Sequence, residues 1–333
     1  MAPAGGSRTQ GLALNAGPAP GFGILEFKEN DFIRSVVAGL PGVPHAFLRA
    51  GQLTHPSPPP FRLIVDRVSF CDPFLRHVMR YWSLAGAYVL NDPFFTLVFD
   101  KLSETLFYDS LSISHPRTMI LPSRIGDEDV SEMVDPPDWQ KVADVIGFPC
   151  VLKPVDGFAW QDVFTVTDLP ALRGLYESLR DRRTLIVQQL VPWIAYYRAF
   201  CVNARDVFIV RWTPHPFDQG EYSLPAAGEL GAAEELITRK TIDLNAALGL
   251  DFNAVEWCIT RDGTPVIIDS YNDVPDVRKE KLPPAAYDWV VDRFCACVTE
   301  KLAGGGRNRL VGGAPAANGP GGPSSSDPGP LPG

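Results

Sequence analysis

A tight turn near the end of the chain constrains the fold more than any other feature of the sequence. Arg261-Asp262-Gly263 lies between two apolar runs, Phe252 to Thr260 and Thr264 to Asp269, and an Asp-Gly pair in that setting is typical of a β-hairpin. A second turn, Ala204-Arg205-Asp206, separates two further β-rich runs and is too short for anything but a hairpin. The sequence therefore predicts an antiparallel sheet in the second half of the chain.

Three side chains with oxygen ligands lie at one end of the first hairpin. Because its two strands run side by side, we expect Glu256 and Asp269 to lie close together, with the amide of Asn272 just beyond. Two carboxylates and an amide oxygen suit Mg²⁺, which binds oxygen ligands together with substrate phosphates. The alternative interpretation is a solvated strand residue and a loop cap, since isolated carboxylates are usually surface groups.

Four cationic side chains are candidates for binding an anion. Lys153 lies in an apolar strand, where a cation needs a negative partner or an anionic ligand such as a nucleotide phosphate. Lys101 lies on a helix that we predict from Pro93 to about Asp109. Arg198 and Arg211 lie in adjacent strands of one hairpin, where strand alternation can aim both at one cleft. On their own, Lys101 would be an ordinary solvated lysine and the two arginines an exposed pair.

The rest of the chain predicts an α/β architecture with unstructured ends. Short apolar strands that alternate with helices are typical of an α/β domain. The Gly- and Pro-rich segment 303–333 cannot bury enough apolar surface to offset the loss of chain entropy, and we exclude it and residues 1–20 from the fold. The predicted domains are 21–115, which is α/β, and 116–302, which divides into 116–191 and 192–302. The predicted elements are strands 21–27, 61–67, 87–90, 117–121, 150–155, 162–166, 184–190, 197–203, 207–213, 252–260 and 264–269, and helices 93–109, 168–180, 232–248 and 284–302, with further helices after Pro73 and before Gly147.

Composition excludes several classes of function. The chain has 39 acidic and 30 basic residues, and its formal net charge of −9 provides no broad positive surface for nucleic acid. No apolar run approaches the roughly 20 residues that span a bilayer, and the first residues lack a secretory pattern, so we expect a cytoplasmic protein without membrane contact. The six cysteines form no Cys-x-x-Cys pair, which favours buried free thiols over a zinc site. A homodimer is compatible with the sequence.

An ordered series of short motifs resembles the ATP-grasp enzymes. The motifs are DKL at Lys101, VLKP with Asp156-Gly157, IVQQLV from Ile186 to Val191, YRAF at Arg198, then Arg211, LGLDFNAVEW and VIIDSYN. They look most similar to the branch that contains ribosomal-protein glutamate ligases and glutathione-synthetase-like ligases, over roughly residues 60–302. The resemblance implies an α/β (α+β) ATP-grasp fold, in which an N-terminal pre-ATP-grasp domain precedes two α+β subdomains that hold the nucleotide between them.

The resemblance also implies a role for each matching residue. Glu256, Asp269 and Asn272 would hold Mg²⁺, or Mn²⁺ in its place, between the β- and γ-phosphates of ATP. Arg198 and Arg211 would face the transferred phosphoryl group or the substrate carboxylate. The implied nucleotide-binding positions are Lys101 and Lys153 at the phosphates, Gly157 in the loop over the phosphates, Gln189, Leu190 and Val191 in the adenine-binding hinge, and Lys240 as a weaker phosphate candidate.

Three positions depart from the family pattern. The loop after Lys153 has one glycine, Gly157, where these enzymes usually have several. The hinge has Gln189 where a glutamate is common, and no carboxylate for the ribose is evident in residues 192–197. Asp269 and Asn272 are three residues apart rather than two, so either Tyr271 takes the ligand position or a one-residue bulge restores Asn272. The bulge is favoured because tyrosine is a poor Mg²⁺ ligand.

The sequence therefore leads us to expect an ATP-dependent, Mg²⁺-requiring ligase that joins a carboxylate to an amine through an acylphosphate. The carboxylate would belong to a small molecule or a peptide, and the amine would be a separate acceptor. Arg278 is a weak candidate for receiving an anionic substrate, although a solvated basic cluster with Lys279 and Lys281 is the simpler interpretation. The alternatives are a phosphotransferase on the same fold, or a nucleotide-binding protein that has lost catalysis.

Overall fold

The computed structural model of the chain describes residues 18–95, 100–124, 132–157, 160–214, 220–304 and 308. Of the segment 1–20 that we predict to be unstructured, residues 1–17 fall outside these ranges, whereas residues 19 and 20 begin the first strand, so the prediction is wrong there. Most of 303–333 also falls outside, as do parts of the predicted helix 93–109 and of the loop after Lys153. Within the described ranges the chain forms three sheets with helices packed against them. No helix in these ranges is long and apolar enough to cross a membrane.

The N-terminal region forms a parallel sheet with helices between its strands, which agrees with the predicted α/β domain. Its strand order is β2-β1-β3-β4. Helix α1 connects β1 to β2, and helix α2 connects β3 to β4. The side chain of Asp72 accepts a hydrogen bond from the Leu75 amide and Pro73 opens the helix, so α2 begins with both of the usual N-terminal signals. The elements are β1 (Ala19–Leu25), α1 (Asp31–Gly39), β2 (His45–Phe47), β3 (Phe61–Asp66), α2 (Pro73–Leu84) and β4 (Tyr88–Leu90).

The second sheet has four antiparallel strands and one face covered by helices. Its order is β5-β8-β6-β7, and the core lies between it and helices α4 and α5. Cys150 and Leu152 of β6 are buried in that core, so alternation directs Val151 and Lys153 to the opposite face. Before this sheet lies α3 (Glu104–Ser110), and the elements of the sheet are β5 (Thr118–Leu121), α4 (Trp139–Val145), β6 (Cys150–Pro154), β7 (Phe164–Val166), α5 (Leu169–Leu179) and β8 (Leu185–Gln189).

The third sheet has five antiparallel strands in the order β11-β10-β9-β12-β13. Tyr197 and Trp257 pack with α6 on one face. On the other face, Phe200 and Phe252 pack with α7 and α1, while the half that contains Arg198 is left open. The elements are β9 (Trp193–Val202), β10 (Asp206–Thr213), β11 (Glu221–Ser223), α6 (Ala232–Leu248), β12 (Phe252–Thr260), β13 (Pro265–Asp269) and α7 (Pro284–Gly304).

The predicted helix 93–109 is wrong at the described positions before Glu104. Residues 93–95 and 100–103 form turns, and α3 begins only at Glu104. The carboxylate of Asp100 accepts hydrogen bonds from the amides of Leu102 and Ser103 and from the Ser103 hydroxyl. Such local side-chain bonds offer the backbone an alternative to the helix, which explains why α3 starts late. Lys101 therefore lies in a turn before the helix rather than on it.

The C-terminal end of the described chain is better packed than its composition predicts. Helix α7 continues to Gly304, and Asn308 is buried beside the N-terminal sheet. The Asn308 amide oxygen accepts from the Ser83 hydroxyl and the Val89 amide, and its nitrogen donates to the Val89 carbonyl. The expectation of a tail excluded from the fold is therefore wrong at these described positions, because one buried amide can satisfy several buried polar groups.

Candidate active site

A cavity of about 730 Å³ lies between the four-stranded and five-stranded sheets. It contains cationic, acidic and aromatic side chains together, and most of the residues singled out in the sequence contribute to its wall. The sequence-predicted residues that line it are Lys101, Lys153, Gly157, Gln189, Leu190, Val191, Arg198, Glu256, Asp269, Asn272 and Arg278. Because these residues are far apart in the sequence and close in the fold, the cavity is the candidate site.

The register of the five-stranded sheet brings the two candidate metal-binding carboxylates together. Glu256 of β12 lies opposite Asp269 of β13 on one side and opposite Arg198 of β9 on the other. Residues directly opposite in neighbouring strands have side chains on the same face, so all three face the open half of the sheet. Asn272 lies just past the end of β13 and also lines the cavity.

Each of the two carboxylates is paired with a cation of the protein. The Lys101 ammonium lies 2.6 Å from Oδ2 of Asp269. Glu256 pairs with Nη2 of Arg198 and accepts a 2.8 Å hydrogen bond from the Tyr196 hydroxyl. Burial alone would raise the pKa of Asp269, but the charges of Lys101 and Lys153 outweigh it and lower that pKa. Asp269 is therefore ionised in the folded chain, as metal binding requires.

Lys153 has a different environment from the other cations of the cavity. It is 8% exposed, and within the described part of the chain its ammonium forms no ion pair. Burial and, to a smaller extent, the charge of Lys101 lower the pKa of Lys153. Asp269, Glu104 and Glu256 oppose this lowering by their charge, but none of them forms an ion pair with Lys153. A buried cation without an ion-pair partner favours an anionic ligand that contacts it directly.

Arg198 is held rigidly by the aromatic side chains around it. Its guanidinium carbon lies 3.9 Å from the centre of the Trp212 ring, and Nη1 donates to the Tyr222 hydroxyl. Trp212 in turn packs edge-on against Tyr196 with ring centres 5.4 Å apart. Among the described atoms, Nε of Arg198 is buried and has no hydrogen-bond partner. Nη1 and Nη2 each use one of their two N–H groups, toward Tyr222 and Glu256, so the guanidinium is fixed at the cavity wall and keeps N–H groups for a ligand.

Arg211 and Lys240 do not line the cavity, which corrects two sequence-based expectations. The register pairs Arg198 with Val210 and Arg211 with Tyr197, so the two arginines lie on opposite faces of the sheet. Arg211 instead forms a 2.6 Å ion pair with Glu229. Lys240 donates to the carbonyl oxygen of Leu111 on the far side of the same sheet. The register decides the outcome, because moving the hairpin pairing by one residue reverses which face a side chain occupies.

The structure bears on whether Tyr271 or Asn272 takes the ligand position after Asp269. A bulge exists in β13, but it lies at Ile268, before Asp269, because Glu256 pairs with Asp269 while Trp257 pairs with Ile267. The Tyr271 ring packs against Phe95 with ring centres 4.9 Å apart and belongs to a hydrophobic cluster. Tyr271 and Asn272 both line the cavity. The packing of the Tyr271 ring favours the Asn272 amide as the third oxygen ligand.

Sequence reasoning missed a buried acid near the candidate metal-binding carboxylates. Glu104 is 3% exposed and accepts hydrogen bonds from the Tyr108 hydroxyl at 2.6 Å and the Ser270 hydroxyl at 2.9 Å. Burial, together with the charge of Asp269, raises the pKa of Glu104. An acid in the first turn of a helix is usually a surface residue that favours the helix dipole, so the sequence carries no signal for this position.

Arg278 also lines the cavity. Its Nε and Nη2 form a two-point ion pair with the Asp276 carboxylate, at 2.7 and 2.5 Å. Lys281 also lines the cavity, whereas Lys279 is exposed. The basic cluster of this loop is therefore partly built into the site and partly solvated.

The fold can be compared with solved structures. An ATP-grasp protein with a RimK domain, from Sphaerobacter thermophilus, is 21% identical, with 84% of this chain and 98% of that chain covered and a TM-score of 0.57. The D-alanine–D-alanine ligase of Bacillus anthracis, solved with ATP, is 15% identical, with 86% and 98% covered and a TM-score of 0.58. The ATP-grasp ligase PsnB, solved with a variant of its minimal precursor, Mg and ADP, is 13% identical, with 85% and 99% covered and a TM-score of 0.57.

These similarities identify the architecture of the chain. No protein-family model and no curated protein matches the sequence. The chain nevertheless has the ATP-grasp fold, with the parallel N-terminal sheet in front of the two antiparallel sheets that enclose the cavity. The fold predicted from the ordered motifs is thereby confirmed.

Proposed function

We propose that the protein is an ATP-dependent, Mg²⁺-requiring ligase that joins a carboxylate to an amine through an acylphosphate. The observation that carries the proposal is the composition of the cavity. Two lysines, one of them buried without a counterion, share it with the carboxylates of Glu256 and Asp269 on the facing sheet. A chain with the ATP-grasp fold and this arrangement of charges is suited to hold a triphosphate between its two sheets.

The nucleotide would lie along the cavity from the hinge to the carboxylates. The backbone of Gln189, Leu190 and Val191 would recognise the base, since this segment joins β8 to β9 and lines the cavity. Lys153 and Lys101 would contact the phosphates. For Lys153 the phosphate supplies the missing counterion, whereas Lys101 would divide its charge between the phosphate and Asp269.

The donor set fits a magnesium ion. Glu256, Asp269 and Asn272 supply only oxygen ligands, and each carboxylate oxygen has lone pairs beyond those used by Lys101, Arg198 and Tyr196. When bound, the metal would neutralise charge on the phosphate oxygens of ATP. The carboxylates would hold this ion, while the lysines hold the phosphate oxygens that face the other sheet.

Arg198 would orient the reacting groups. Its guanidinium is fixed by Trp212 and Tyr222 and keeps one N–H group on each of Nη1 and Nη2, so a carboxylate or the transferred phosphoryl group beside it would meet a preorganised cation. In the first step the substrate carboxylate attacks the γ-phosphorus and ADP leaves, which gives an acylphosphate. In the second step the amine attacks the acyl carbon, phosphate leaves, and the amine loses a proton to solvent. Arg278 and Lys281 line the same cavity and would attract an acid substrate.

A second candidate function is nucleotide binding without catalysis. It is favoured by the two ion pairs, because both metal-binding carboxylates already have a protein cation as partner. If those pairs persist with ATP bound, metal binding is weak and the phosphoryl group is not transferred. The single glycine in the loop after Lys153 points the same way, since fewer backbone amides are free to cover the phosphates.

The first experiment is a thermal shift of the purified protein with ATP and Mg²⁺, with GTP and metal-free samples as controls. A ligand that binds only the native state raises the apparent melting temperature. A Mg²⁺-dependent rise with ATP supports the site, and pairs of acids and amines, including peptides, are then screened for ADP release. Release that needs both partners supports the ligase. A phosphorylated product without an amine indicates a phosphotransferase, and binding without turnover indicates the non-catalytic protein.

A further inference from the structure

The stretch of wall between the hinge and the carboxylates has an unusual composition. Along β9 the cavity is lined in turn by Trp193, Tyr196 and Arg198, which follow directly on the hinge residue Val191. A nucleotide with its base at the hinge and its phosphates at Lys153 has to lay its sugar along this stretch. The residue nearest the hinge is a tryptophan whose side chain is 46% exposed.

The carboxylates that line the cavity already have ion-pair partners in the protein. Among the described residues that line it, the acids are Glu256, Asp269 and Asp276, and each forms an ion pair with a cation of the protein. The Tyr196 hydroxyl donates to Glu256 and is likewise occupied. In this part of the cavity wall there is thus no carboxylate beside the hinge that is free to accept a hydrogen bond from a sugar hydroxyl.

Trp193 contributes an aromatic ring to the cavity wall. Its ring meets the Tyr196 ring edge-on, with centres 5.7 Å apart and an angle of 75° between the planes. An indole can donate one hydrogen bond and accept none, so it cannot take the proton of a sugar hydroxyl. Carboxylates are the groups that nucleotide-binding proteins commonly use to bind the ribose 2′-hydroxyl.

From this arrangement we propose that the site binds nucleoside triphosphates without discriminating for the 2′-hydroxyl, and that Trp193 packs against the sugar. The inference rests on the proposed function, because it presumes that ATP occupies the cavity. The base and the phosphates are recognised by the hinge and by the lysines, whereas the sugar is held by apolar contact. ATP and 2′-deoxyATP are therefore equivalent ligands of this protein.

The size of the effect follows from the energy of a hydrogen bond to a charged group. Such a bond contributes about 1.5–3 kcal/mol, which corresponds to a roughly ten- to hundredfold preference for ATP where a carboxylate binds the hydroxyl. Without it, and with the wall beside the hinge partly open to solvent, the hydroxyl of ATP stays hydrated. We expect the dissociation constants of ATP and 2′-deoxyATP to agree within about threefold, well below the tenfold that one such bond supplies.

The test measures both nucleotides on the full-length protein by titration calorimetry in the presence of Mg²⁺. Three chains are compared: the wild type, Trp193→Phe, which keeps a flat apolar ring, and Trp193→Glu, which places a carboxylate beside the sugar. The wild type and Trp193→Phe should bind ATP and 2′-deoxyATP equally. Trp193→Glu should prefer ATP by about tenfold, even if its added negative charge weakens binding of both nucleotides.

The outcomes separate this inference from the proposed function. Wild-type protein that binds ATP more than about threefold more tightly than 2′-deoxyATP overturns the inference and leaves the proposed ATP site intact. If ATP and 2′-deoxyATP bind equally well to all three chains, including Trp193→Glu, the sugar does not contact residue 193. That result also overturns the inference. Failure of every nucleotide to bind overturns the proposed function and the inference together. Quenching of tryptophan fluorescence by ATP in the wild type, reduced in Trp193→Phe, supports direct contact.

Discussion

The two walls of the cavity differ in how their charges are satisfied. On the four-stranded sheet, Lys153 projects from β6 as a buried cation, and among the described residues it has no ion-pair partner. On the five-stranded sheet, the candidate metal-binding carboxylates lie opposite each other and each already has a partner, Lys101 or Arg198. One wall therefore lacks a charge that a ligand can supply, and the other is electrostatically complete.

A ligand therefore meets different requirements at the two walls. A phosphate that reaches Lys153 adds a counterion where there was none, and no protein contact has to break. A metal ion that reaches Glu256 and Asp269 has to share their oxygens with cations that are already in place. We therefore expect nucleotide contact with the four-stranded wall to need little rearrangement. Metal binding at the five-stranded wall should be the step that depends on side-chain movement.

Asp269→Asn tests the five-stranded wall and should have the largest effect. The amide keeps the shape of the side chain but loses the charge that holds both Mg²⁺ and Lys101. Loss of one metal ligand should lower turnover by more than about 100-fold, since even residues that only orient metal ligands contribute about 10- to 100-fold. The dependence of ATP binding on Mg²⁺, measured by titration at several metal concentrations, should disappear. Asp288→Asn, an exposed change on α7, is the control, and an unaltered Mg²⁺ dependence would remove Asp269 from the metal site.

Arg198→Ala and Arg211→Ala compare the two faces of the same sheet. Arg198 faces the cavity, and its loss should reduce turnover by about 100-fold, the scale found when one preorganised donor is removed. Arg211 pairs with Glu229 on the opposite face, and Arg211→Ala should leave the kinetic constants within about twofold, as expected for a partly exposed pair. Steady-state kinetics decide the comparison, with circular dichroism to verify that both variants fold. Equal losses in both variants would contradict the assignment of the faces.

Much of the fold, and the strands that carry the site, could be predicted from the sequence. The Asp-Gly turn, the alternation of β12 and the order of the motifs were sufficient to predict the hairpin, the fold and the elements that carry Lys153, Glu256 and Asp269. Helix α6 matches its predicted limits, 232–248, because its periodicity is clear and Gly249 closes it in the left-handed conformation. Local signals of this kind depend on neighbouring residues, which the sequence gives directly.

The errors depend on contacts between distant segments. Whether Arg211 faces the cavity is decided by the register of one hairpin, and a shift of one residue reverses the answer. Glu104 is a buried acid because the Ser270 hydroxyl happens to reach it from a segment far along the chain. The late start of α3 follows from the side chain of Asp100, which binds the amides that a helix would use. Asn308 is similar, since its role depends on a pocket formed by β4 and α2.

Lys153→Met tests the four-stranded wall through ligand binding. Methionine fills a similar space without charge, so the effect isolates the contact with phosphate. A charge-assisted hydrogen bond of about 1.5–3 kcal/mol corresponds to at least a tenfold weaker dissociation constant for ATP. Titration calorimetry with ATP and Mg²⁺ provides the measurement, and Lys141→Met, an exposed lysine on α4 of the same subdomain, is the control. Wild-type affinity in Lys153→Met would mean that this lysine is structural.

The same substitution should have a smaller and opposite effect on the stability of the ligand-free protein. The pKa of Lys153 in the folded chain is lowered from its ordinary value of 10.5, first by burial and then by the charge of Lys101, so the fold bears a cost for the charged form. Well below the folded pKa both the folded and unfolded chains are protonated, and that cost is fully present. As the pH rises through the folded pKa towards 10.5, the folded chain releases its proton before the unfolded chain does, and the wild type recovers stability.

Lys153→Met lacks this titration, so it should exceed the wild type in free energy of unfolding by about 1 kcal/mol at pH 7, and the excess should shrink as the pH approaches 10.5. Chemical denaturation of both chains from pH 7 to 10 measures the difference, and Lys141→Met corrects for the general effect of removing a positive charge. A variant that is less stable than the wild type at pH 7 would mean that Lys153 already has a counterion in the ligand-free protein. The two walls would then not differ in this respect, since the charges of both would have partners before any ligand binds.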